Sequence, residues 1–215
     1  FLAANELDAA LSLFDPERGG GALRHRGVYG LSLARWLLGP VDEVESMATF
    51  GATGVDEDCT VLLRHESGAL STLRASLRAR GTSDLSVHGT RGTIHLEAPI
   101  YRPHVARIER FQPSRGCSED GGRFEALRNA DLVQGLKQRI DRWIPRGGFG
   151  GSETGSVERV ARHFRGNGFH YEIEAVMRAV AAGALESDVM PLAESLEIMT
   201  LVDRARAAWQ KGPAT

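Results

Sequence analysis

The spacing of apolar residues changes along the chain from a helical period to a strand-like period and then back to a helical one. Apolar residues fill most positions of 23–38, which predicts a helix that is apolar on most sides and therefore buried. A shorter run rich in Ala and Leu at 2–14 predicts another helix. Three later stripes predict helices whose apolar positions are Leu132, Leu136, Ile140 and Trp143, then Phe169, Ile173, Val176, Met177 and Val180, and finally Leu192, Leu196, Met199 and Val202.

The middle of the chain alternates apolar and polar residues, which is typical of half-buried strands in an antiparallel meander. A turn at 66–68 joins one pair of strands, and the glycines of 89–92 can supply the positive φ that a short hairpin loop needs. The predicted strands are 43–50, 58–64, 69–78, 85–88, 93–97 and 104–111. By composition, 145–156 is predicted to be a loop.

Strands in the middle and helices toward both ends predict an α+β fold, an open, mostly antiparallel β-sheet with helices packed on one face. A Rossmann domain is not expected in this chain, because strands and helices do not alternate. The glycine clusters also miss the dinucleotide pattern G-x-G-x-x-G, since Arg24 and Glu153 stand where the third glycine belongs.

Composition narrows the classes of function. With 26 Lys and Arg against 28 Asp and Glu, the net charge of -2 gives no electrostatic reason to bind nucleic acid or an anionic membrane. Cys59 and Cys117 suggest neither a disulfide framework nor a metal site, so we expect a cytoplasmic protein. We expect no metal site, because no histidine has a partner at metal-ligand spacing among His65, His95, His104 and His163.

The segment 14–38 holds the most suggestive chemistry. Its three consecutive glycines, 19–21, would let the backbone approach another molecule closely, and the following helix puts His25 and Tyr29 on one face. Such a pair can exchange protons with a substrate hydroxyl or carbonyl group. From spacing alone, however, a packed tyrosine beside a surface histidine is the commoner explanation.

Several motifs occur in the order of a known family. They are Leu13–Pro16, Gly19–Leu23, Gly27–Tyr29, Leu31–Ala34, Val55–Asp58, Ser67–Leu70, His88–Ile94, Gly166–Glu172 and Met190–Met199. In these motifs the chain resembles the C-terminal domain of the Gfo/Idh/MocA oxidoreductases, particularly the branch of dihydrodiol and xylose dehydrogenases. Residues 112–156 match least well, and we expect them to be an insertion.

The resemblance implies roles for individual residues. Tyr29 corresponds to the tyrosine that donates or accepts the proton at the substrate oxygen. His25 stands where the family has an aspartate that works beside a lysine, and a neutral imidazole brings no negative charge, so either His25 acts as a base by itself or the site is inactive. Substrate contacts are expected from Asn167, Phe169 and His170, unless Asn167 only caps the helix that follows.

The resemblance also implies partners. Residues 1–18 are expected to be the remainder of an interdomain connection, and 19–215 a substrate-binding and oligomerisation domain. An N-terminal Rossmann domain, absent from this chain, would bind NAD or NADP, so the isolated chain is expected to be inactive. The whole protein would oxidise or reduce a sugar, polyol or dihydrodiol and form a homo-oligomer through the sheet. The alternative is a non-catalytic assembly or ligand-binding module that has lost both the active-site Asp and the cofactor domain.

Overall fold

A computed structural model describes residues 5–111, 156–162 and 166–209. The predicted helix in 124–144 and nearly all of the predicted loop and insertion lie outside these ranges. The elements within them are α1 (Val28–Leu38), β1 (Val41–Phe50), β2 (Asp56–His65), β3 (Leu70–Ser76), β4 (Leu85–Gly89), β5 (Gly92–Leu96), β6 (Val105–Arg110), β7 (Val157–Ala161), α2 (Phe169–Ala181) and α3 (Leu192–Trp209). The chain forms two compact units, one of 1–85, 97–104 and 163–215, the other of 86–96 and 105–162.

The first unit is built on a three-stranded antiparallel sheet in the order β1-β2-β3. The alternation that predicted β2 is confirmed, because Cys59, Val61 and Leu63 are buried while the residues between them face outward. Helices α1 and α3 contact this sheet and each other, and they supply the other half of the core. The core side chains from outside the sheet include Phe14, Leu23, Leu31, Ile198, Leu201, Val202 and Ala205.

One buried polar side chain ties α1 to this sheet. His65, at the end of β2, donates from Nδ1 to the Gly39 carbonyl just after α1, over 2.9 Å. Its Nε2 lies 2.9 Å from the hydroxyl of Ser71 on β3. Because both ring nitrogens have partners, the buried imidazole is a structural group of the core.

The second unit contains a four-stranded sheet in the order β4-β5-β6-β7. Its β5–β6 and β6–β7 pairs are antiparallel, with Ile94 opposite Ile108 and Ile108 opposite Glu158. The sequence analysis missed β7, since five residues of weak alternation next to a glycine-rich stretch carry almost no strand signal. Its partner β6 is distant in sequence, and only the folded chain brings the two strands together.

One helix prediction was wrong, and another was right in its position but not in its burial. In the described part of the segment predicted as a helix, 5–14, only Ser12–Phe14 form a helical turn. Asn5 instead donates from its backbone and its side chain to the Leu77 carbonyl, over 2.8 and 3.1 Å, which holds this segment against the end of the sheet. The helix at 23–38 forms, but its first turn, Leu23–Gly27, is π-helical, and Trp36 is exposed rather than buried.

The predicted fold class is confirmed: the chain is α+β, and every strand pair with a defined register is antiparallel. Among the described residues the strands form two sheets, and the helices α1 and α3 pack on the first. No helix in the described ranges has the length and apolar character needed to cross a membrane.

Candidate active site

The glycine cluster before Tyr29 is packed against its own chain. A Cβ on Gly20 would lie 2.7 Å from the Asp15 carbonyl oxygen and 2.9 Å from that of Leu13. Gly21 has φ +123° and faces the carboxylate of Asp56. The absence of side chains here therefore serves the fold, whereas the sequence had suggested a close approach to another molecule.

Asp56, the first residue of β2, fixes the turn that leads to Tyr29. Its side chain is only 4% exposed, and Oδ2 accepts a hydrogen bond of 2.7 Å from the backbone N–H of Leu23. Burial raises the pKa of this carboxyl group, while the hydrogen bond from Leu23 opposes that effect. The sequence analysis included Asp56 only as part of a family motif, yet it anchors the start of the segment that carries His25 and Tyr29.

A cleft of about 1350 Å³ in the first unit, called here the Tyr29 cleft, collects residues from four segments. Arg26, in the turn before α1, and Tyr29, on α1, form one wall, and residues at the start of α2 form another. The loops after β3 and β5 meet where the backbone N–H of Ile100 donates to the Ser83 carbonyl over 2.9 Å. The full lining is Arg26, Tyr29, Arg80, Gly81, Thr82, Ser83, Ala98, Pro99, Tyr101, Arg102, Pro103, Asn167, Gly168, Phe169, Tyr171 and Glu172.

The cleft brings together three of the five residues predicted for the site. Tyr29, which is 57% exposed, lines it together with Asn167 and Phe169. His25 is exposed and does not belong to the lining. His170 also lies outside the lining, and its ring stands 4.0 Å from the ring of Tyr171, which belongs to it.

Asn167 hydrogen-bonds the start of α2, which agrees with one of the two roles that its sequence position suggested. Its Oδ1 accepts a hydrogen bond of 3.2 Å from the backbone N–H of Phe169, at the first residue of α2. The residue also lines the cleft. Since the oxygen is engaged with the backbone, the amide nitrogen is the part of Asn167 available to a ligand.

Charged residues of the lining were missed by the sequence analysis. Arg80 and Arg102 come from the two loops joined by the Ile100–Ser83 hydrogen bond, and Arg26 precedes Tyr29 by three positions. The guanidinium of Arg102 lies 5.7 Å from the ring centre of Tyr101. Apolar periodicity carries no information about which loops converge, so only the arginines in these loops could have served as a signal.

The described residues form neither a metal cluster nor a dinucleotide-binding turn before α2. No group of three or more His, Cys, Asp and Glu side chains within the described part of the chain is arranged to hold a metal ion. The turn before α2 begins with Gly166 and Gly168, but Tyr171 stands where a dinucleotide-binding turn has its third glycine. No turn of that type therefore leads into α2.

The sheet, the helices on it and the Tyr29 cleft define an α+β domain with an open cleft in its surface. Residues 3–95 match the family model of the GFO/IDH/MocA C-terminal domain, which is the family that the sequence motifs had indicated. Among curated proteins, the chain is similar to the trans-1,2-dihydrobenzene-1,2-diol dehydrogenase of Oryctolagus cuniculus, with 22% identity over 204 residues. That alignment covers 94% of this chain and 51% of the relative.

Solved structures share the fold. A 3-ketoreductase from Actinomadura kijaniata, in complex with NADP and TDP-benzene, has a TM-score of 0.67 at 19% identity and covers 97% of this chain and 52% of its own. A levoglucosan dehydrogenase in complex with NADH and levoglucosan also has a TM-score of 0.67, at 17% identity, covering 98% of this chain and 55% of its own. The chain thus spans about half the length of the proteins it resembles.

Proposed function

We propose that this chain is the substrate-binding domain of an NAD(P)-dependent oxidoreductase that acts on a secondary alcohol of a sugar, polyol or dihydrodiol. The observation that carries the proposal is the exposed phenol of Tyr29 in the wall of a cleft shared with Asn167 and Phe169. The names of the similar proteins support the reaction class, since they are a dihydrodiol dehydrogenase, a 3-ketoreductase in complex with NADP and a levoglucosan dehydrogenase in complex with NADH. In this proposal, 19–215 form the domain and 1–18 the connection to a nucleotide-binding domain.

The chain's own residues would bind the substrate and move its proton. A nicotinamide, when bound, supplies or accepts the hydride. In the direction of reduction, the phenolic O–H of Tyr29 donates its proton to the carbonyl oxygen of the substrate as that carbonyl becomes an alcohol. In the direction of oxidation, the ionised phenolic oxygen accepts the hydroxyl proton. The aromatic side chains of Phe169 and Tyr171 would pack against the substrate and exclude water.

His25 is the second candidate for the proton path. It lies on the turn anchored by Asp56, and its ring is exposed, so it would pass a proton between the reaction and the solvent. His170, beside Tyr171, would restrict the position of that ring in the cleft. These roles predict that replacing His25 by Asn changes the pH profile of turnover more than it changes the affinity for substrate.

Cofactor binding gives the first test. The chain alone should bind neither NADH nor NADPH in a fluorescence titration, whereas the same chain joined to its proposed nucleotide-binding domain should bind one of them. Binding of either nucleotide by the chain alone would contradict the assignment of the cofactor to another domain.

The role of Tyr29 is tested in the joined protein. Tyr29→Phe removes the proton donor but keeps the ring, so kcat should fall by about 100-fold or more while KM changes little. Tyr101→Phe, another exposed cleft tyrosine, is the comparison, and it should affect KM rather than kcat. Equal losses of kcat in the two variants would show that Tyr29 has no special part in the proton transfer.

A non-catalytic ligand-binding module is the second candidate. It is favoured by the histidine at position 25, where the family resemblance leads us to expect an aspartate. If the site has decayed, His25→Asp should raise a low turnover in the joined protein. A fall in turnover instead would favour a catalytic use of His25 in this chain.

A further inference from the structure

We infer that the Tyr29 cleft binds ligands that carry a phosphate or carboxylate group. The inference deepens the proposed function and rests on it only in treating that ligand as the substrate. Its basis is the charge of the lining, to which Arg26, Arg80 and Arg102 contribute three cations. Glu172 is the single acidic residue among the lining residues.

Some arginines of the chain are neutralised by carboxylates, and the cleft arginines are not among them. Arg35, Arg74 and Arg110 form salt bridges of 2.7 to 2.9 Å with Glu197, Asp58 and Glu158. Within 5–111, 156–162 and 166–209, the three cleft arginines form no salt bridge of this kind. Positive charges that converge on a concave surface without carboxylate partners raise the local concentration of anions and can donate charge-assisted hydrogen bonds to them.

Arg26 provides the strongest single observation. Its Nε is buried and has no hydrogen-bond partner in the described structure. An unsatisfied buried donor destabilises the folded state, so folding alone gives no reason for an arginine at this position. Because Arg26 and Tyr29 are three residues apart and line the same cleft, an anionic group held by Arg26 would bring the rest of the ligand to the phenol.

The remaining lining residues suit the rest of such a ligand. Thr82, Ser83 and Asn167 offer neutral hydrogen-bonding groups for hydroxyls, and the rings of Tyr101 and Phe169 offer apolar surface. An uncharged sugar would use these groups equally well, but it would leave the three guanidinium groups without a function. The choice between a neutral and an anionic ligand therefore depends on the arginines, and they are the groups to change.

The test compares three sugars that differ only in the group at carbon 6. Isothermal titration calorimetry with this chain should use D-glucose 6-phosphate, D-glucuronate and uncharged D-glucose as probes. We expect at least one charged probe to bind about tenfold or more tightly than D-glucose, with an advantage that shrinks as salt is added. The two charged probes distinguish a phosphate from a carboxylate as the preferred group.

Two variants locate the effect. Arg26→Gln should reduce the affinity for the charged probe about tenfold without changing that for D-glucose. Arg80→Gln, at an exposed position, should have the same selective effect even if Arg26→Gln fails to fold. Arg91→Gln, in the exposed loop between β4 and β5 and outside the cleft, is the matched control and should change neither affinity.

The inference is overturned if charged probes bind no better than D-glucose, or if Arg91→Gln has as large an effect as the cleft variants. Either result leaves the proposed function in place, since the turnover of Tyr29→Phe tests the proton transfer with whichever substrate the joined protein accepts. Conversely, selective binding of a charged probe together with normal turnover of Tyr29→Phe would keep the anion site and refute the catalytic role.

Discussion

Asp56 couples a buried charge to the turn before Tyr29. Asp56→Ala leaves the Leu23 N–H without its partner and should reduce the free energy of unfolding by about 1–3 kcal/mol. Asp56→Asn keeps an acceptor oxygen while removing the charge, so its loss should be smaller. Urea unfolding of both variants beside the unchanged protein measures the difference, and equal losses would mean that the hydrogen bond is not what stabilises this turn.

The same residue gives a dependence of stability on pH. Because burial raises the pKa of Asp56 in the folded chain, the folded state holds the proton more tightly than the unfolded state. The contribution of Asp56 to stability is therefore greatest below the ordinary carboxyl pKa and declines as the pH rises through the raised value. Asp56→Asn should remove this decline from the curve of unfolding free energy against pH. A curve of unchanged slope would contradict the assignment.

Cys59 should be chemically inert while the chain is folded. Burial between the sheet and the helices raises the pKa of its thiol to about 12, so little thiolate exists at mildly alkaline pH. We expect iodoacetamide to leave Cys59 unmodified in the native protein and to alkylate it in urea, as measured by mass spectrometry of the peptide that contains it. Modification at similar rates in both conditions would show that this core opens readily.

Helix α3 is held by one buried stripe. Leu201 is 2% exposed in the core, while Leu196 on the same helix is 69% exposed. Leu201→Ala should lower the free energy of unfolding by about 2–5 kcal/mol through lost burial and the cavity left behind. Leu196→Ala makes the same chemical change at the surface and should cost far less, so a comparable loss in the two variants would mean that α3 packs differently.

Elements with one buried face could be predicted from the sequence. The alternation in β2 identifies Val61 and Leu63 as inward residues because a strand has a period of two. Elements that depend on contacts with residues distant in sequence could not be predicted in this way. Asn5 bonds to Leu77 instead of starting a helix, and β7 depends on a partner that lies far away along the chain.

The residues of the candidate site also fall into a group that the sequence predicted and a group that it did not. Tyr29, Asn167 and Phe169 were found because ordered motifs place them, and the structure puts them around one cleft. Arg80 and Arg102 follow no apolar period and belong to loops that only the folded backbone brings together. Sequence reasoning therefore located the two walls that α1 and the start of α2 form, and missed the charge that we propose determines the ligand.

The surface of the whole chain includes three exposed apolar side chains on one face of a sheet, with polar residues between them. Met47, Leu62 and Leu70 are exposed on the face of the first sheet opposite the core, with Met47 81% exposed. We retain the prediction that the chain forms a homo-oligomer through this face, since exposed apolar patches on sheets commonly mark interfaces. Met47→Asp should shift the mass measured by light scattering toward the monomer.

A control at another exposed position completes this test. Arg159→Gln, on β7 of the second unit, should leave the measured mass unchanged. A monomeric mass for the unmodified chain at every concentration tested would remove the prediction.

The bond between Asp56 and Leu23 has a consequence for how related chains can diverge. Since Asp56 shares a strand with Cys59, Val61 and Leu63, the place of Tyr29 depends on the register of the sheet. A slip of one residue in β2 would turn these side chains to the solvent and withdraw the carboxylate from the turn. Related chains that keep Tyr29 in its cleft should therefore vary freely at the outward positions of β2. They should accept insertions only beyond the two ends of this strand.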